Sequence, residues 1–315
     1  MIFRGALLLL CYQPTRVVGY NTITLPEGQQ YTLIAIPFDD IGTTEGYTLD
    51  DLFAGKSKDI FHAAPGFANA DQIQIWMGTD YTTVYLNQNT LTTGINPQKN
   101  GHWCLSGSRP DATWAAQNGG VCIKKFPAGT SFWIKRFVAT TVNKGSATEM
   151  AEALPAKTIA VSGQVVVKQD GKAGYVINAG ATDKTCGYTL IAAGFSAGFA
   201  PNPDIAVSPA DPSKQIDWEE MGCFAAAGFA NADQLQFWNG KDYVLLYLNK
   251  NTLTTGINPQ KNGHWCLSGS RPDATWAAQN GGPCIKTFDP TVGFWYKRAV
   301  GQPSFTFYID QPYSL

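Results

Sequence analysis

Apolar and polar positions alternate along much of this chain. Gln72-Ile73-Gln74-Ile75-Trp76 and Gln234-Leu235-Gln236-Phe237-Trp238 alternate polar and apolar up to the closing tryptophan, the period of a strand with one buried face. Short turns at Gly78-Thr79-Asp80 and Gly240-Lys241-Asp242 lead into second strands at 81–87 and 243–249, so each pair predicts a hairpin. Ser131-Phe132-Trp133-Ile134-Lys135-Arg136 and Gly293-Phe294-Trp295-Tyr296-Lys297-Arg298 predict aromatic strands. Further strands are expected at 21–25, 32–38, 158–165 and 304–309. Leu49-Asp50-Asp51-Leu52-Phe53 predicts one or two helical turns capped by Thr48. The polar stretch 140–156 reads as a surface excursion.

The pattern occurs twice. Residues 66–137 align without gaps to 228–299, with 55 of 72 positions identical, and 89–120 repeat as 251–282 without a difference. Such a long repeat is a duplicated domain and not a solenoid unit. Earlier segments correspond more loosely. Val18-Gly19-Tyr20 matches Ala173-Gly174-Tyr175, and Tyr31-Thr32-Leu33-Ile34-Ala35 matches Tyr188-Thr189-Leu190-Ile191-Ala192. The expected organisation is an apolar segment at 1–16, a β unit at 17–168 and a second at 172–315. The expected class is all-β: two tandem homologous β-sandwich or β-barrel-like domains with disulfide-closed loops. The strand order is not readable from the pattern.

Charge narrows the function. Of 315 residues, 23 are Lys or Arg and 24 are Asp or Glu, for a net charge of −1. A nucleic-acid binder would carry a basic excess, so none is expected as a partner. The 44% hydrophobic content can build cores, which excludes a charge-rich disordered chain. Arg4 followed by Ala6-Leu7-Leu8-Leu9-Leu10 resembles a compact secretory signal, with a retained apolar strand as the alternative. It is shorter than the ~20 residues a membrane span needs. No later segment looks transmembrane, so the expected location is secreted or at the cell surface.

The seven cysteines fit export. Cys104 and Cys122 are 18 apart, as are Cys266 and Cys284; Cys186 and Cys223 occur in the second half only, and Cys11 is left over. Three disulfides are expected from that arithmetic. A metal site from His102, Cys104 and Cys122, repeated as His264, Cys266 and Cys284, is the alternative. It has no C-x-x-C pair and no fourth ligand at usual spacing.

The identical loops are the first candidate site. Trp103, Trp114, Arg109 and Asp111, with Trp265, Trp276, Arg271 and Asp273, combine rings and polar groups suited to a sugar or a subunit contact. The competing reading makes the tryptophans a small core beneath each loop. Asp71, Asp80, Asn87 and Asn89, repeated as Asp233, Asp242, Asn249 and Asn251, could hold Ca²⁺ or simply form turns. No other cofactor is expected. Lys135-Arg136 and its partner pair read as a basic patch or as a solvated strand end. Catalysis is not expected. The chain has three His and lacks G-x-S-x-G, H-E-x-x-H and P-loop patterns.

Val18-Gly19-Tyr20, Leu33-Ile34-Ala35-Ile36-Pro37 and Gly129-Thr130-Ser131-Phe132-Trp133 resemble the units of secreted bacterial tandem-repeat proteins with no assigned activity. In the second unit Gly194 replaces Pro37. The resemblance implies export and an all-β fold, and supplies no catalytic residues. The function expected is a secreted structural or adhesive protein that self-associates, as a filament or surface-layer subunit. The alternative is a bivalent carbohydrate-binding protein that uses both loops.

Overall fold

The computed structural model describes residues 17–43, 45–88, 100–107, 113–115, 119–138, 140–141, 150–151, 154–181, 187–206, 209–251, 262–269, 276 and 281–314. The first repeat contributes β1 (Val18–Leu25), β2 (Tyr31–Ala35), β3 (Gln72–Trp76), β4 (Tyr81–Leu86), β5 (Trp103–Ser106), β6 (Ser131–Lys135), the short β7 (Thr140–Thr141) and β8 (Met150–Ala151), and β9 (Lys157–Gln164). The second contributes β10 (Lys172–Ile177), β11 (Tyr188–Ile191), β12 (Gln234–Trp238), β13 (Tyr243–Leu248), β14 (Trp265–Ser268), β15 (Phe294–Lys297) and β16 (Phe305–Asp310).

Both repeats use one strand order. The first builds an antiparallel five-stranded sheet, β2-β6-β3-β4-β5, and the second builds β11-β15-β12-β13-β14. A two-stranded ribbon, β1-β9 or β10-β16, lies over one face of each sheet. The chain is all-β, and neither sheet closes into a barrel.

The alternation explains the layering. Ile73, Ile75, Val84, Leu86, Phe132 and Ile134 point inward to meet Ile23, Leu25, Ile159 and Val161 of the ribbon. Each such buried side chain stabilises by about 1.5–3 kcal/mol. A helical turn at Leu49–Leu52 adds Leu49 and Leu52 to that core, and the Thr48 hydroxyl caps it by accepting from the Asp51 N–H at 3.2 Å. In the second repeat Leu235, Phe237, Leu246, Leu248, Phe294 and Phe307 play the inward roles.

The ribbons differ by one residue of register. Tyr20 faces solvent at 75% exposure, whereas Tyr175 packs against the core. The sequence correspondence of these tyrosines therefore does not survive folding, because a one-residue slip turns every side chain to the other face. Gly194, where the first repeat has Pro37, has φ +73°, and a Cβ there would lie 2.7 Å from both the Ala173 Cβ and the Tyr175 hydroxyl. Neither proline nor any other L-residue suits that approach.

The two sheets meet through their non-core faces. Trp133 of β6 packs edge-on against Trp238 of β12 at 5.5 Å, and the repeat counterparts, Trp295 and Trp76, pack at 5.4 Å. This reciprocity is that of an isologous dimer formed within one chain. Backbone contacts reinforce it. The Ala35 N–H donates to the Thr291 carbonyl at 2.7 Å, and the Ser131 hydroxyl to the Ile191 carbonyl at 3.0 Å.

Candidate functional site, an aromatic cleft between the repeats

Strand alternation puts Gln72, Gln74 and Trp76 on the face of β3 opposite Ile73 and Ile75. Pairing brings Trp133 beside Gln74 and Tyr81 beside Trp76. In the second repeat Gln236 lies beside Trp295, and Trp238 beside Tyr243. Four tryptophans and several tyrosines thus stand on faces that would meet water in an isolated repeat. The pseudo-two-fold packing covers part of this surface and leaves a cleft of about 280 Å³, lined by Trp76, Tyr81, Tyr188, Gln236, Tyr243 and Trp295.

Its walls are fixed by edge-to-face ring packing. Trp76 meets Tyr81 at 5.0 Å and 61°, and Tyr188 meets Trp295 at 6.2 Å and 88°. The Trp295 indole N–H donates to the Tyr243 hydroxyl at 3.2 Å, and Trp133 hydrogen-bonds the Tyr81 hydroxyl. Burial raises the pKa of Tyr81 and of Tyr243, so both phenols stay protonated. The Gln236 amide donates to Gln234 at 3.0 Å, and the Gln234 amide to the Phe229 carbonyl at 2.8 Å, which orients the one amide at the wall. Lys297 stands 5.8 Å from the Tyr188 ring centre, beyond the lining itself. The wall holds no carboxylate, imidazole or thiol. Its chemistry is stacking and hydrogen bonding.

The loop tryptophans lie elsewhere. Trp103 and Trp265 are wholly buried, and Trp114 and Trp276 nearly so, at 3% and 8% exposure. They fill the cores beneath the loops and offer no ring face to a ligand. Arg109, Asp111, Arg271 and Asp273 fall outside the described residues, as does the 1–16 segment.

The expected disulfides are corrected. No disulfide joins Cys104 to Cys122 or Cys266 to Cys284. Cys104 pairs with Val121 across the ladder, while the Cys122 N–H donates to the Trp103 carbonyl at 2.7 Å. The thiols stand one residue out of step on adjacent strands, so they point to opposite faces. Cys122 enters the core with Trp103 and Leu105, and Cys104 lies across from Tyr85 on the other face. Cys266 and Cys284 repeat this, with Cys284 in the core and Cys266 opposite Tyr247. Cys223 is buried and forms no disulfide, and Cys186 falls outside the described residues. Burial pushes the Cys122 thiol up to about 11 and those of Cys223 and Cys284 up to about 12.

The acidic and basic candidates are structural. The Asp233 carboxylate accepts from the Phe224 and Ala299 N–H groups, the Tyr296 hydroxyl and the Arg298 guanidinium. Asp71 accepts from the His62 N–H at 2.9 Å and the Phe137 N–H at 2.6 Å. Protein donors hold these oxygens, which argues against Ca²⁺ there. Asn89 falls outside the described residues. Arg136 is 2% exposed and donates to the Pro26, Gln29 and Pro155 carbonyls, so it is neither a surface patch nor a solvated strand end. His102 sits 2.9 Å from Asp50 and His264 2.8 Å from Asp204. Among the described residues no three His, Cys, Asp or Glu converge on one point, and no helix is long and apolar enough to cross a membrane.

The sequence reading missed the cleft. Its signal was present, since tryptophan occupied the supposedly solvent-facing positions of both alternating strands. No family model matches the chain, and no curated protein or solved structure matches it either.

Proposed function

We propose that this is a non-catalytic, extracellular or surface-exposed carbohydrate-binding protein whose site is built from both repeats. The observation that carries the reading is the composition of the cleft wall, which has five aromatic rings and one amide, drawn from both repeats. Ring faces stack on the apolar face of a pyranose, while phenol, indole and amide groups bond its hydroxyls. The absence of any acid, base or thiol from this wall supports binding without chemistry. The site differs from the bivalent loop arrangement, because Trp76 and Tyr81 of one repeat face Tyr188, Gln236, Tyr243 and Trp295 of the other across a shared cleft. With the disulfides removed, the case for export rests on the N-terminal segment and on the family resemblance. A glycan array tests the reading, with Tyr81→Ala/Tyr243→Ala as the comparison. The expected result is binding by the wild type that the double variant loses.

A structural, self-associating role has its own supporting observation. The outward face of the β1–β9 ribbon carries Val18, Tyr20, Thr22, Thr24, Thr158, Ala160 and Ser162, all exposed and uncharged. Natural proteins usually place charges on such ribbons to block edge pairing. Light scattering after size-exclusion chromatography tests this, with Thr22→Lys expected to shift any oligomer towards monomer. A wild-type protein that is monomeric at high concentration removes it.

A further inference from the structure

The ribbon strands β9 and β16 each have an edge turned away from their partner strand, and the two edges are treated differently. Val165 and Gln311 hold equivalent places. Each donates its N–H back across its ribbon, to the Val17 carbonyl at 2.9 Å and to the Gly171 carbonyl at 2.7 Å. Bonded and non-bonded pairs alternate along an antiparallel ladder. The backbone groups of the preceding residue, Gln164 or Asp310, therefore point to the outer edge, and so do those of Ser162 or Tyr308.

In the first repeat this edge is occupied. Asp39 and Gln164 exchange backbone bonds of 2.8 and 3.0 Å, and the Tyr47 hydroxyl donates to the Ser162 carbonyl at 2.9 Å. Gly163 makes room for them, since a Cβ there would overlap the Tyr47 hydroxyl and lie 2.5 Å from the Asp39 carbonyl oxygen. The second repeat lacks all of these partners. Phe199 stands where Tyr47 does, bridging to Phe288 as Tyr47 bridges to Phe126, and it has no hydroxyl. Ile309 takes the place of Gly163 and fills the room with its side chain. Eleven residues run from Pro37 through Tyr47 but six from Gly194 through Phe199, so the stretch that carries Asp39 is cut short. Ser196 donates its N–H to the Tyr313 hydroxyl at 3.3 Å instead. Among the described residues no backbone group pairs with the outer edge at Tyr308 or Asp310.

A cavity of about 560 Å³ stands beside that edge, walled by Phe195, Phe199, Ile216 and Trp218 and by β16 from Tyr308 onward. Its volume is that of a ligand site. It joins an apolar wall to strand N–H and C=O groups that have no strand beside them. A small apolar molecule would satisfy the wall and leave the backbone groups unmatched, whereas an extended peptide satisfies both. The first repeat seats just such a segment, its own chain at Asp39, antiparallel on the equivalent edge. We propose that the cavity beside β16 is a peptide-binding site. Its occupant is an extended segment of another polypeptide, which pairs antiparallel with Tyr308 and Asp310 and places an apolar side chain against Phe199 and Trp218. The site shares no lining residue with the aromatic cleft and is independent of the carbohydrate reading.

Panning a phage-displayed library of random short peptides against the full-length protein tests this, followed by isothermal titration of the enriched sequences as capped synthetic peptides. The enriched sequences are expected to carry apolar residues at alternate positions. Asp310→Pro removes the outward N–H and no bond of the ribbon, a change that edge strands tolerate, and it should weaken binding about tenfold. Ala197→Phe puts a ring into the cavity and should weaken binding at least as much. Methylating alternate amide nitrogens of a bound peptide should abolish its binding in one of the two registers. Melting curves of both variants separate misfolding from lost recognition. Sugar binding at the aromatic cleft should be the same in both variants as in the wild type, so the two sites stand or fall separately. No enriched peptide, or peptides that bind both folded variants as tightly as the wild type, overturns the proposal.

Discussion

Gly293 lies directly against Ser131, its own counterpart in the other repeat. A Cβ on Gly293 would fall 2.7 Å from the Ser131 hydroxyl oxygen and 2.8 Å from its Cβ. Where two copies of one sequence pack about an internal two-fold axis, equivalent positions near that axis meet each other. A side chain fits there on one copy alone. The difference between Ser131 and Gly293 is thus a consequence of the packing, which an identical pair would obstruct.

Restoring the repeat at this point should be harmful. Gly293→Ser is expected to destabilise by about 1–3 kcal/mol through overpacking, read as a lower urea midpoint. The swap Ser131→Gly with Gly293→Ser should recover part of the loss. A Gly293→Ser protein as stable as the wild type would argue against the inter-repeat packing described.

The tryptophan pairs carry more. Trp133→Ala removes a ring that is 7% exposed and touches Trp238, and it should cost about 3–5 kcal/mol. A double-mutant cycle between Trp133 and Trp238 is expected to show about 0.5–1.5 kcal/mol of coupling. Zero coupling would mean that the two faces do not meet in solution.

Thiol chemistry checks the cysteine assignments. With pKa values raised to about 11 and 12 by burial, Cys122 and Cys284 hold their protons at pH 8, and the thiolate is the reactive form. Iodoacetamide should leave both unmodified in the native protein and alkylate both after denaturation without reductant. Cross-linked peptides containing Cys104 and Cys122 in a mass spectrum would contradict the strand register.

Asp233 and Asp71 are repeat counterparts with unequal roles. Asp233→Ala strands the buried Arg298 cation and should cost about 3–5 kcal/mol. Asp71→Ala should cost less, because Arg136 is held by backbone carbonyls without a bond to Asp71, whereas Arg298 bonds Asp233 directly as well as the Gly222 and Pro303 carbonyls. Parallel denaturant titrations decide, and equal losses would refute the distinction.

Much of the local structure was legible in the residues. Alternation at Gln72–Trp76 and Gln234–Trp238 fixes strands with one buried face, because a side-chain period of two has no other economical solution. The turn chemistry between them fixes the hairpins, and Thr48 marks the start of its helical turn. Duplication is visible letter by letter. The cysteines misled because spacing along the chain says nothing about register, and one step of register separates a bridgeable pair from two thiols on opposite faces.

The sequence by itself determined the all-β class, the inward face of each hairpin and the existence of two like units. Only the tertiary structure decided what the other face does. A tryptophan at an outward position can be a solvent-exposed ring, a ligand platform or a contact with the other repeat, and local pattern is the same in each case. The choice depends on which surface arrives opposite, and that is a long-range property of how two folded units pack. It brought Trp76 to Trp295, tied the Trp238 indole to the Tyr31 carbonyl, and left the indole N–H of Trp76 without an acceptor.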